Sequence, residues 1–448
     1  MNERADPLST LNLVLDRARQ AGAEAADAVL VSAASLGVTW RLGELEEMER
    51  SEDQDVGLRV FIGQQQAIVS SSDISDAALA QLAERAVDMA RHAPADQYCG
   101  LAAQDQLVKD WPGDLDLADD YEPTADSLMA IVEEAEDAAR AVEGITNSEG
   151  ASAGWGRNAI ALATSHGFAG AYETTSFSIS ASVLAGEGTE MERDYDYVST
   201  RHNEDLESPA AIGRGAAERT VRRLNPRTKP SCKVPVVYDP RVSGGLVGHL
   251  AGAVNGASVA RGTSFLKDAM GEQVFGDGIS IIDDPLRHRG LRSKPFDAEG
   301  LATRRTNLVQ DGRLQTWILD CAAARQLGLT STGHATRGTG GPPSASATNL
   351  YMEAGSVTPA ALIADIEEGF YVTELIGMGV NQVTGDYSRG AGGFWIENGE
   401  IVYPVAGLTV AGNLKDMFRA AVPADDLEFR YGVNAPTIRI DGMTIAGS

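Results

Sequence analysis

Glycine fills 48 of the 448 positions, and its placement limits the fold more than any other feature of the chain. Residues that tolerate positive φ collect at turns, bulges and close backbone approaches, so a chain this rich in glycine is expected to break into many hairpins. An all-helical fold is not expected. Individual turns are legible. Gly63 separates strand-like Val56–Ile62 from Gln66–Ser70, and His166 with Gly167 interrupts the β-branched and aromatic run from Ala159 to Val183. Asp311–Gly312 and Asn398–Gly399 mark two further hairpins, with strands 303–310 and 313–319 around the first and 393–396 and 401–405 around the second.

Helical spacing lies between these runs. Leu8, Leu11, Leu15 and Ala18 form one stripe, Leu79, Leu82, Ala86 and Met89 a second, and Ile131, Val132, Ala135 and Ala139 a third. Ser208 followed by Pro209 opens a helix toward Leu224, because the hydroxyl caps free amides and proline fits the first turn. Leu414–Ala421 reads as another helix. The fold class predicted is α+β. Residues 1–228 mix helices with antiparallel strands, subdivided into 1–98 and 124–228 by a segment, 93–124, rich in Asp, Pro and Gly. Residues 229–448 are dominated by antiparallel sheet with short helices, and the boundary lies at the basic, proline-bearing Asn225–Lys233.

Charge narrows the function classes. The net charge of -27 repels phosphate backbones, which argues against direct nucleic-acid binding. Cys99, Cys232 and Cys321 are odd in number and far apart, so neither a disulfide framework nor a zinc ribbon is supported and a reducing cytoplasm is expected. The N-terminus lacks the apolar core of a signal peptide, and no run of about 18 apolar residues suggests a membrane span.

Motif chemistry is sparse. Gly244–Asn255 reads GGLVGHLAGAVN, a helical stretch with one histidine. A zinc-hydrolase helix requires two histidines about a turn apart and an acid beside the first. Here only His249 is present, and no two of the six histidines lie four or five residues apart. A lone His249 fits a structural role better than metal binding by this chain alone. A serine nucleophile is not supported, and Ser344–Ser346, after Gly338, Gly340 and Gly341, reads as a flexible loop. The segment 383–404, VTGDYSRGAGGFWIENGEIVYP, is denser in glycines, acids and aromatics than turn chemistry requires. Asp386 and Glu397 could act as general acid and base, but capping or salt-bridged carboxylates suit a strand and hairpin better. Glycine crowding suits a groove for extended polypeptide or a subunit contact. The groove or interface candidates are His249, Asn349, Asp386, Arg389, Phe394, Trp395 and Glu397.

Three blocks resemble the TldD/PmbA family, known as modulators of DNA gyrase and peptidase subunits, and more closely its PmbA (TldE) branch. They are VVYDPRVSGGLVGHLAGAVNGASVARGTSFLKDAMGEQVF, the stretch from RRTNLVQDGRLQTWILD through AARQLGLTSTGHATRG, and VTGDYSRGAGGFWIENGEIVYPVAGLTVAGNLKDMF. In that family the TldD branch carries a His-Glu-x-x-x-His helix and a distant cysteine as metal ligands. Aligned on Val247–His249, the first histidine and the glutamate fall at Gly244 and Gly245, and no cysteine follows Cys321. The resemblance therefore implies no catalytic residue, metal or cofactor in this chain. It implies a cytoplasmic, non-catalytic subunit whose TldD-like partner holds zinc, the pair cutting unfolded or flexible peptides such as microcin precursors or a labile antitoxin. Any gyrase effect would then be indirect. The alternative is a stand-alone homodimeric binding or scaffold protein without peptidase activity.

Overall fold

The computed structural model describes residues 6–111 and 114–447. Part of the N-terminal signal reading (residues 1–5) and Pro112–Gly113 of the 93–124 segment lie outside them.

One six-stranded antiparallel sheet organises the first half. In chain order its strands are β1 (Ala25–Arg41), β2 (Glu44–Ile62), β3 (Gln65–Ser71), β4 (Ile145–Thr164), β5 (Ala169–Ala185) and β6 (Glu192–Thr200), arranged 3-2-1-4-5-6. The β1–β4 pairing joins residues from both sides of the 93–124 segment in this one sheet. Even-numbered residues of β1 lie on one face, as strand alternation requires, Ala26, Ala28 and Leu30 in one apolar cluster and Leu36 and Val38 in a second. Four helices cover that face: α1 (Pro7–Ala21) and α2 (Asp76–His92) over one half, α3 (Ala125–Arg140) and α4 (Pro209–Arg222) over the other. Each begins at a residue whose side chain accepts a backbone N–H, namely Asp6, Ser75, Thr124 and Ser208.

The second half is built around a closed barrel. Its strands are β7 (Cys232–Tyr238), β8 (Glu368–Ile376), β9 (Asp386–Glu397), β10 (Glu400–Asn413) and β11 (Ile438–Ala446). They run 10-9-8-7-11, and β11 pairs back onto β10 to close the ring. Only β7–β8 is parallel. A second sheet packs alongside, with short strands at Ile281–Asp283, Thr306–Gln310, Arg313–Leu314, Leu350–Met352 and Val433–Asn434. The sequence predicts a strand over 313–319, but pairing stops at Leu314 and the chain turns into a helix at Cys321 that Asp320 caps.

The glycine-serine stretch 338–346 is not the flexible loop its composition predicts. It belongs to a hairpin whose stems, Ala335–Thr336 and Ser344–Ala345, pair with each other, and whose tip reaches the first sheet. Arg337 pairs there with Asp27, which also holds Arg59, and all three side chains are buried. Burial alone would raise the Asp27 carboxyl, but the two guanidiniums hold it below the usual carboxylate range. A Cβ on Gly57 would sit 2.2 Å from the Thr339 carbonyl oxygen, so glycine is required for this docking.

Candidate functional site

The single-histidine stretch forms α5 (Pro240–Ala253), directly after β7. Asp239 caps it, accepting from the Arg241 N–H at 2.9 Å and from the Tyr371 hydroxyl at 2.8 Å. Ser243, Leu246, Val247, Leu250 and Ala253 are buried, and each large apolar side chain among them contributes ~2 kcal/mol. The two glycines onto which the family resemblance maps a ligand and a base differ sharply. A Cβ on Gly244 would lie 2.9 Å from the Val433 carbonyl oxygen, so this face is closed by neighbouring backbone. Gly245 and Gly248 face open space, with nothing within 4 Å of an added Cβ. Gly245, Gly248, His249 and Gly252 therefore form one outward stripe at helical spacing.

β9 supplies the neighbours of His249. Its ring meets Tyr387 edge-on at 5.9 Å. Burial and then the Arg389 cation hold the imidazole below its ordinary pKa, so it is neutral at pH 7. Arg389 donates from Nη2 to the Leu375 carbonyl at 3.3 Å, while its buried Nε has no hydrogen-bond partner among the described residues. The same is true of Gln382 Oε1, whose amide group lies beside Gly252. Tyr387 and Gln382 were missed by sequence reasoning. Their position in and beside the glycine-dense segment was the available signal.

The other candidates lie elsewhere. Asp386 is an exposed turn carboxylate that accepts from Thr384 Oγ1 at 2.7 Å and Asn413 Nδ2 at 3.1 Å, bonds that lower its pKa. Glu397 is at the opposite end of β9, ~35 Å away along an extended strand, accepting from the Tyr403 hydroxyl at 2.6 Å with Lys229 at 3.8 Å. The two cannot share a reacting atom. Trp395 is buried in the barrel core beneath the Lys229 ammonium, and Phe394 faces the first half, under Arg222 of α4. Asn349 is buried in a separate region, its amide spent on the Asp284 carbonyl, Ser293 and the Arg292 N–H. Of the seven, His249 and Arg389 meet beside α5, while Trp395 and Glu397 meet at Lys229 at the other end of β9.

Zinc does not fit this donor set. A site needs several imidazole, thiolate or carboxylate ligands, whereas His249 has a tyrosine and a guanidinium beside it. Among the described residues no group of three or more such ligands assembles anywhere.

With the fold and this helix described, comparison with known proteins decides the family. Residues 26–90, 118–224 and 231–447 match, in turn, domain 1, the central domain and the C-terminal domain of the PmbA/TldA metallopeptidases. The chain belongs to the PmbA/TldD family. It is 39% identical to metalloprotease PmbA of Escherichia coli, over 95% of this chain and 92% of that one. It is 38% identical to the PmbA homolog of Haemophilus influenzae, over 98% and 95%. The TldD homolog of that same organism matches at 27% over 52% of each chain. Among solved structures, a proposed modulator of DNA gyrase from Bacteroides thetaiotaomicron superposes with a TM-score of 0.91 at 26% identity, covering 98% of both chains. The α+β fold is thus shared with that structure, and the metalloprotease names of its relatives place this chain in a protease family. Among the described residues, no helix is long and apolar enough to cross a membrane.

Proposed function

We propose that this chain is the zinc-free, PmbA-type subunit of a two-chain cytoplasmic metalloprotease. A TldD-like partner holds the zinc, and the pair cuts unfolded or flexible peptides. The observation that carries this reading is α5. Glycine replaces both the first ligand and the base, Gly244 is walled off by Val433, and Gly245 and Gly248 stay open while the Gln382 amide lies against Gly252. A bare glycine stripe lets another backbone approach closely. The nearby loop between β8 and β9 exposes Ile376, Met378 and Val383, with Met378 94% exposed, adding apolar surface for a partner to cover. The presence of a PmbA and a TldD homolog in one organism agrees with two specialised chains. A DNA-gyrase effect then runs through turnover of a regulatory peptide, in keeping with a chain of net charge -27.

Co-expression with a TldD-like subunit tests this. The two chains should co-elute, and peptidase activity on an unfolded substrate should require both. Gly245→Arg should leave this chain folded and abolish co-elution. If no TldD-like chain associates and its activity is indifferent to this protein, the subunit reading fails and the homodimeric scaffold replaces it.

A further inference from the structure

A cavity of about 300 Å³ lies between the two halves, where β6 and the following turn meet the loops 287–291 and 428–434. Four arginines line it, Arg201, Arg287, Arg289 and Arg430, although the chain as a whole is strongly acidic. Two of them are neutralised. Arg289 pairs with Asp116, Glu204 and Asp205, and Arg430 with Asp196 and Glu207. Arg201 is spent on the backbone carbonyls of Thr175, Gly290 and Leu291, without a carboxylate, and burial lowers its pKa. That clamp fixes the loop carrying Arg287.

Arg287 is left open. Its guanidinium stacks on the Phe429 ring at 3.4 Å, and Tyr351 supports the ring's position edge-on at 5.0 Å. Among the described residues it makes no ion pair and no side-chain hydrogen bond. A stacked guanidinium keeps its in-plane N–H fork available for a bidentate carboxylate. The side-chain amides lining the cavity are largely occupied: Asn349 donates to the Asp284 carbonyl and to Ser293, and Asn434 to the Tyr431 carbonyl. Three carboxylates also line the space, and of these Asp205 and Glu207 are paired, while Glu428 is exposed and makes no ion pair among the described residues. A dianionic phosphate would be repelled by that lining. A zwitterion matches it, its carboxylate on Arg287 and its ammonium toward Glu428. The volume, at the small end for ligand sites, suits a short peptide rather than a long chain.

We propose that this cavity binds short peptides with free termini, Arg287 taking the α-carboxylate and Glu428 the α-ammonium. The choice of a peptide rests on the proteolytic reading above, but the test uses this chain alone. Calorimetric titration with trialanine should show binding that weakens at least about tenfold for trialanine amide, the loss expected for one charged hydrogen-bonded contact. Arg287→Gln should weaken trialanine equally and abolish the acid-over-amide preference, and Glu428→Gln should reduce the preference for a free over an acetylated amino terminus. Equal affinity for acid and amide on the unaltered chain overturns the proposal. So does the absence of binding at millimolar peptide, or tighter binding of inorganic phosphate. A chain that binds trialanine but never associates with a TldD-like subunit would overturn the pairing and keep this site; the converse result would keep the pairing and remove the site.

Discussion

Alanine at Gly245 and alanine at Gly244, adjacent positions on α5, should move stability in opposite directions. Both substitutions gain about 1 kcal/mol, because alanine is the better helix former and restricts the unfolded chain. At Gly245 nothing lies within 4 Å of the new methyl group, so the gain is kept. At Gly244 the methyl group would be 2.9 Å from the Val433 carbonyl oxygen and 3.5 Å from its carbon. That backbone cannot retreat easily. Val433 is held by parallel pairing to Leu350, and the Ser243 hydroxyl ties α5 to the Ala435 carbonyl at 3.1 Å. Overpacking of this kind costs ~1–3 kcal/mol, so Gly244→Ala should be net destabilised by about 1 kcal/mol and fall ~1–3 kcal/mol below Gly245→Ala. Thermal unfolding followed by circular dichroism would separate the two by several degrees, since 1 kcal/mol corresponds to ~2–4 °C in a domain of this size. A Gly244→Ala protein as stable as Gly245→Ala would refute the reasoning. The closure of the ligand position by Val433 would then have no energetic content.

Three further outcomes follow from buried charges and strand geometry. Burial, with Asp297 adding repulsion, raises Glu299 to about 7 from 4.5. A raised folded-state pKa gives stability that is complete below the unfolded value and lost as pH rises through the folded one. Glu299→Gln should therefore flatten the decline of the melting temperature between about pH 5 and 8, and an unchanged slope would count against the assignment. Asp27→Asn strands the Arg59 and Arg337 guanidiniums without their carboxylate and should cost ~3–5 kcal/mol, seen as a lower melting temperature together with protease cleavage in the hairpin 335–345. Alanine at Asp386 or Glu397 should leave peptidase activity of the assembled pair within about twofold, given ~35 Å between them; a loss of a hundredfold with assembly intact would restore them as acid and base.

Local chemistry made much of the fold legible. Asp311, Asn398, Gly63 and Gly167 all adopt the positive φ that their turn assignments require, and Ser208 with Pro209 starts α4 as read. Strand lengths were less legible. β1 runs from Ala25 to Arg41, a length its sequence does not advertise, because Ser32 is half-buried and Ser35 exposed, so the middle of the strand lacks the apolar alternation that marks a core face. Closure of the barrel through β10–β11 and the parallel β7–β8 pair join segments far apart in sequence, and neither leaves a periodic trace. The hairpin 335–345 shows the same limit. Its glycines and prolines signal a loop, while its order comes from Asp27, 310 residues from Arg337. At the candidate site the family blocks located α5 and β9, but composition could not tell that Phe394 and Trp395 face different halves, or that Gly244 and Gly245 have opposite surroundings.

The central claim is that zinc and cleavage reside on the partner while this chain completes the assembly. Metal analysis of the two chains, separated after purification as an active complex, measures it directly. The account predicts close to one zinc on the TldD-like chain, well below one on this chain, and no peptidase activity from this chain alone. Stoichiometric zinc on this chain, with peptide cleavage in the absence of any partner, would contradict it.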